Sequence, residues 1–199
     1  MDIINRVKQI LVSPKIEWLT IEAENEPHVK VFTNYVVPLA LIPAIAAFIG
    51  YGLIGYTVLG VHVGSISWGI RSAIMQYILM LGGTYVTSFI INALAENFGA
   101  RKDLNQAFSL VAFAYTPMFI AGICYILPSL SWIALFAGLY SLYLLYIGLQ
   151  PMMKVSAEKQ TTYFVISLIV LIVVWAVLSM ILSAILLPSA FAANGFSFK

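Results

Sequence analysis

Four windows of this chain, residues 31–70, 72–95, 104–153 and 160–198, contain no Asp, Glu, Lys or Arg. A charged side chain at the centre of a bilayer costs about 2.5–3.5 kcal/mol even on lenient insertion scales, so ionised groups withdraw to the parts of a membrane chain that stay in water. Long charge-free windows separated by short charged segments therefore read as spans and loops. The composition agrees: 62% of residues are hydrophobic and 9% charged, against roughly 25% charged in an ordinary soluble domain.

A spanning helix needs about 20 apolar residues to cross roughly 30 Å of hydrocarbon. The first, second and fourth windows each hold one span. The third is too long for one and is punctuated at Pro128-Ser-Leu-Ser131, so it holds two. The expected architecture is all-α: an integral membrane bundle of five transmembrane helices at 34–59, 71–95, 106–127, 132–149 and 163–187. An amphipathic N-terminal segment, 1–33, precedes the 34–187 transmembrane domain, and a short tail, 188–199, follows Leu187 and Pro188.

Five spans place the tail cations Arg6, Lys8, Lys15 and Lys30 on one side with Arg101, Lys102, Lys154 and Lys159, and leave Arg71 and Lys199 on the other. The positive-inside rule then puts the N-terminus inside and the C-terminus outside. The first apolar stretch begins after some thirty mixed polar residues and is too long for the core of a signal peptide, which argues against a cleaved leader. Cys124 is the single cysteine and has no intramolecular partner. A net charge of +2 gives no footprint for nucleic acid.

In the tail, Ile3, Ile4, Val7, Ile10 and Leu11 recur at helical spacing, with Asp2, Arg6, Lys8 and Gln9 assigned to the polar side. This is the pattern of a short helix lying on a membrane surface. Ser13-Pro14 ends it and starts another, in which Trp18 suits the headgroup layer; Glu22, Glu24 and Glu26 read as a solvated turn. The segment is expected to act as an anchor on the inner leaflet or as a docking surface for a cytoplasmic partner.

Within the spans, Pro38 and Pro43 mark candidate kinks in the first, packed against a neighbour or forming a flexible element, and Pro117 a kink in the third. The second span carries Gln76, Thr84, Ser88, Asn92 and Glu96 at multiples of four, and Thr84 to Glu96 stay within one sector of about 120°. That sector reads as interhelical glue or as a polar path for a solute. Gly99 and Asp103 read as a helix stop and start, with Gln106 completing a capping box. In the fourth span Phe136, Tyr140, Tyr143 and Tyr146 form an aromatic stripe whose hydroxyls need partners, and Pro151 is expected to end the helix. Arg101, Lys102, Lys154 and Lys159 are candidate contacts to lipid or a partner at the inner face.

The order of Tyr35-Val-Val-Pro38-Leu-Ala, Asn92-Ala-Leu-Ala-Glu-Asn-Phe-Gly99 followed by Gln106-Ala-Phe, Ala114-Tyr-Thr-Pro117, Gly138-Leu-Tyr-Ser-Leu-Tyr143 and Gly148-Leu-Gln-Pro151-Met-Met-Lys154 resembles the Yip domain family in its prokaryotic branch. The resemblance implies five helices with a cytoplasmic N-terminus, in a bacterial cytoplasmic membrane. Its eukaryotic members are associated with trafficking, Rab GTPases and membrane shaping. For this chain the expected role is a non-enzymatic scaffold, working through helix association and through lipid or partner contacts with the bilayer, a second copy, or a membrane or cytoplasmic protein. The alternative is a small transporter, channel or lipid-moving protein that works as an oligomer through the polar sector. No cofactor, metal or catalytic constellation is expected: the only histidines, His28 and His62, fall on opposite sides of the membrane.

Overall fold

The computed structural model describes residues 2–58, 61–130 and 132–186. The expected tail 188–199 and the stop at Pro188 lie outside these residues. Two short helices, α1 (Ile3–Val12) and α2 (Pro14–Glu24), precede five helices long and apolar enough to cross a membrane. These are α3 (His28–Ile54), α4 (Ile66–Phe98), α5 (Leu104–Ile126), α6 (Ile133–Met153) and α7, which runs Ala157–Leu186. Between α3 and α4 lies a small antiparallel hairpin, β1 (Tyr56–Val58) with β2 (Val61–Val63), which pairs Thr57 with His62.

The spans begin and end where backbone chemistry dictates, several residues away from the charge boundaries. α3 starts at His28 rather than Asn34, because Pro27 precedes it and Lys30, paired with Glu26 at 2.7 Å, sits in a first turn that water still reaches. It stops at Gly55, whose φ of 69° only glycine adopts without strain. Ser65 caps α4, its Oγ accepting from the Trp68 amide at 3.2 Å, so Arg71 lies inside the helix. α6 runs through Pro151 to Met153, contrary to the expected stop, and ends at Lys154 in the left-handed conformation with φ 53°. Proline removes a donor only from its own position, and Met152 and Met153 are buried there in the core. Asp103 caps α5 as expected, accepting from the Asn105 and Gln106 amides at 3.0 and 3.3 Å, and Gly99 takes φ 65°.

The prolines are absorbed by local backbone changes. A wide π turn over Phe32–Val36 precedes Pro38, and Pro43 seats its ring against Gly122 of α5. Pro117 leaves the Phe113 carbonyl without its usual amide, and the Thr116 hydroxyl donates to that carbonyl at 2.7 Å instead. α5 is the most enclosed helix, and α6 and α7 are the outermost.

The tail departs from the expected surface anchor. α1 and α2 form a helical hairpin packed on the bundle, α1 against α5 and α2 against α6. Trp18, expected at the headgroups, is fully buried, its indole lying where a Cβ on Gly148 would be, 2.7 Å from Cε2. The reason is geometric: glycine at 148 leaves a notch on α6 that the flat Trp18 ring fills together with Leu110.

Candidate functional site

The side-chain chemistry of the described residues gathers where the tail hairpin meets the ends of α5 and α6 on its own side of the bundle, inner here meaning tail-side. Arg6 projects from α1 between two carboxylates of α2. One nitrogen is paired with Glu17, and the other donates to Glu24 at 2.7 Å. Arg6 is 8% exposed and its guanidinium stands 5.6 Å from the centre of the Phe113 ring. Burial pulls the Arg6 pKa down, but the hydrogen bonds and charges of Glu24 and Glu17 outweigh it and hold the group above its ordinary value, so it stays ionised.

Around this triad the tail is tied to both inner loops. Lys154 pairs with Glu22 at 2.9 Å. The Gln106 side-chain amide donates to the Glu22 carbonyl at 3.2 Å and to Asn25 Oδ1 at 2.8 Å, so it bonds outward to the tail rather than back to Asp103 as a capping box would. The His28 amide donates to Asn105 Oδ1 at 2.9 Å, and its Nδ1 lies 2.7 Å from the same oxygen. The Arg101 amide donates to the Met153 carbonyl at 2.7 Å, joining the second loop to the end of α6. The run Glu22, Glu24, Glu26 is thus a set of three ion-pair partners, not a free solvated turn.

The four inner-face cations sit together on this cap. Arg101 pairs with Asp103 at 2.8 Å and Lys102 with Glu96 at 3.2 Å, each cation half exposed. Lys159 lies beside Gly99. Of the candidate polar face on α4, Thr84 and Ser88 are fully buried and donate back to the Met80 and Thr84 carbonyls at 2.7 and 2.6 Å. Gln76 and Asn92 are partly buried, and Asn92 Oδ1 has no partner among the described residues. Bonds between helices come from other residues. Thr87 meets the Tyr115 hydroxyl at 2.9 Å, Tyr35 meets Thr116 at 2.6 Å, and the Tyr163 hydroxyl donates to the Ile91 carbonyl. From the aromatic stripe, Tyr140 donates to the Leu11 carbonyl at 2.8 Å and Tyr146 meets Thr161 at 3.1 Å. Among the described residues no group of three or more His, Cys, Asp or Glu is placed to hold a metal ion.

The Arg6 triad was missed in sequence, although its signal was present. Arg6 lies four residues before Ile10, only about 40° from it on the wheel, so it belongs to the buried face. Glu17 stands in the same relation to Ile21.

Residues 8–193 match the Yip1 domain. The chain belongs to that family. It is 30% identical over 156 residues to the inner membrane protein YohC of Escherichia coli strain K12, covering 75% of this chain and 80% of that one, and equally to YohC of Escherichia coli O6:H1. No solved structure matches. Yip1 membership and five apolar helices make this a polytopic membrane protein, and the match from residue 8 takes in the second half of α1 and all of α2 along with the spans, Arg6 lying just before it.

Proposed function

We propose that this Yip1 protein is a non-enzymatic scaffold of a bacterial inner membrane, with its N-terminus in the cytoplasm and its C-terminus outside. It organises lipid or protein partners at the cytoplasmic cap. The relatives carry the words inner membrane protein in their names, which supports that membrane. Eight cations on the cap side against Arg71 at the other end support the orientation.

The observation that carries the reading is where the polar groups go. Several buried hydroxyls of the bundle are used up in structure: Thr84 and Ser88 bond to the backbone of their own helix, while Thr87 and Tyr35 bond to hydroxyls of a neighbouring helix and tie the two together. Most of the paired ionised groups are gathered into a cap fixed by cross-links between tail and loops, with Arg101 and Lys102 half exposed on it. A rigid, charged platform suits recruitment.

A transport reading has one observation in its favour: Asn92 Oδ1 and Ser167 Oγ are buried without partners on α4 and α7, which pack together. Crosslinking in native membranes and solute flux in liposomes separate the two. The scaffold predicts silent liposomes and crosslinks that Arg101→Glu with Lys102→Glu abolishes. Flux that Asn92→Leu or Thr84→Val removes overturns it. Reporter fusions at residue 1 and after Leu186 test the orientation, and signals from the same compartment contradict it.

A further inference from the structure

The contacts of α2, and of Leu11 at the end of α1, with α6 act as a ruler for how far the tail hairpin reaches along the bundle. The two helices run side by side in the same direction: Glu22 pairs with Lys154 at the inner rim, the Trp18 ring rests on Gly148, and the Leu11 carbonyl accepts from Tyr140. Tyr140 lies 13 residues before Met153, about 20 Å along the helix at 1.5 Å per residue. α6 has 21 residues, about 31 Å, which is just the roughly 30 Å of the hydrocarbon layer. With no spare length in α6, the level of Tyr140 is inside the bilayer wherever its centre lies; the tip of the hairpin at Val12-Ser13, about 14 Å along α2 from Glu22 at the rim, lies below the rim on the way to it, and the Tyr140 side chain spans the rest.

The outward side of the hairpin has the composition that such a place requires. Ile4, Val12, Ile16 and Leu19 are 80%, 72%, 70% and 60% exposed, an unusual state for large aliphatic side chains in water. On α1 the exposed residues Ile4, Lys8 and Val12 follow at intervals of four beside exposed Asn5 and Gln9, and on α2 so do Lys15 and Leu19 beside exposed Ile16 and Thr20, so each outward face is mixed and carries one lysine. Neither lysine has a counter-ion among the described residues. Glu17 and Glu24 hold Arg6, Glu22 holds Lys154 and Glu26 holds Lys30, while none of the six ion pairs among the described residues includes Lys8 or Lys15. An ammonium at membrane depth is relieved by snorkelling or by a phosphate drawn inward through local thinning of the bilayer.

We propose that the α1–α2 hairpin is re-entrant and that its outer face is a binding site for an anionic phospholipid of the leaflet on the tail's side, with the headgroup phosphate held by Lys8 and Lys15 reaching back towards the rim and acyl chains running along Val12 and Ile16 towards the tip. Two uncompensated cations select an anionic lipid over a zwitterionic one, whose own ammonium cancels its phosphate. The site stands whether the protein scaffolds or transports.

The test uses the full chain in lipid nanodiscs. For depth, nitroxides at Val12→Cys and Ile16→Cys in a Cys124→Ala background are relaxed by oxygen and by a water-soluble nickel chelate. Oxygen should dominate at both sites and the chelate at Ala23→Cys, near the rim; chelate access at Val12 equal to that at Ala23 overturns the re-entrant placement. For the lipid, spin-labelled phosphatidylglycerol and phosphatidylcholine compete for the protein. Phosphatidylglycerol should be preferred several-fold, and Lys8→Gln with Lys15→Gln should bring the ratio near one with the melting temperature unchanged, since both side chains are exposed and unpaired. An unchanged ratio overturns the site, and so does displacement of the lipid by free inorganic phosphate alone.

Discussion

The two ends of this bundle are held together by different chemistry. At the inner end, helices are joined through long polar side chains: Arg6 with Glu17 and Glu24, Lys154 with Glu22, Gln106 with Asn25, and His28 with Asn105. At the outer end, they are joined through the absence of side chains. Gly52 on α3 meets Gly69 on α4 so closely that a Cβ on Gly52 would stand 3.0 Å from the Gly69 Cα. A Cβ on Gly50 would overlap the Tyr125 carbonyl oxygen, and Gly122 receives Pro43. Lipid offers no hydrophobic drive for helices to associate, so close backbone approach and dispersion must do it, whereas charges can be used where water or a counter-ion is at hand. The inner end is therefore sensitive to the loss of a group, and the outer end to the gain of one.

The strongest way to break that contrast is at Arg6. Removing one partner of a buried ion pair costs about 3–5 kcal/mol, because the remaining charges lose their compensation. Arg6→Ala should destabilise the protein by an amount in that range in reversible unfolding from mixed micelles, with most of the penalty falling on Glu17, which is 9% exposed, and little on the more exposed Glu24. Replacing the set together, Arg6→Met with Glu17→Gln and Glu24→Gln, should recover most of the loss. If the triple variant is as unstable as the single one, the triad contributes by shape and not by charge.

The outer end is tested next by adding a methyl group. Overpacking costs about 1–3 kcal/mol where side chains can yield, and Gly50→Ala should fall at the top of that range because the obstacle is the Tyr125 backbone. Gly148→Ala, at the inner end, should cost less, since its neighbours Leu110 Cδ1 at 2.6 Å and the Trp18 ring belong to side chains that can shift. Equal losses at the two glycines would erase the distinction. A third, smaller effect is expected at Tyr35. Both hydroxyls of the Tyr35–Thr116 pair are fully buried, but Thr116 keeps its bond to the Phe113 carbonyl in Tyr35→Phe, so the loss is that of one hydrogen bond, about 1 kcal/mol.

The same contrast explains what the sequence made legible. Spans are a matter of solvent: charges avoid oil, and the four charge-free windows plus Pro128-Ser-Leu-Ser131 yield five spans, the number of helices in the structure long and apolar enough to cross a membrane. Their ends differ because a charge marks where water begins and not where a helix stops: α3 takes in Lys30 and α4 begins at Ile66, ahead of Arg71, while α6 passes Pro151. The polar row on α4 was visible, but periodicity cannot say that Thr84 and Ser88 would bond to their own helix. The tail misled most. Its amphipathic period correctly required burial, yet a period does not name the surface that does the burying, and that surface was the notch at Gly148, more than a hundred residues away. Arg6 was treated as polar by type when its spacing to Ile10 had already placed it inside.

The smallest expected effect marks the boundary of the inner cap. Glu96 and Lys102 are 66% and 50% exposed and 3.2 Å apart, and exposed pairs of this kind contribute about 0–1 kcal/mol, less in salt. Glu96→Gln should therefore leave unfolding within about 0.5 kcal/mol of the parent, and should leave the Arg101 amide bond to Met153 in place, since that bond is made by backbone. Glu96 is also the last member of the polar row on α4. A loss as large as that at Tyr35 would mean that Glu96 acts within the row and not at its rim, and the division between a charged cap and a hydroxyl-bonded interior would then have to be redrawn one turn deeper.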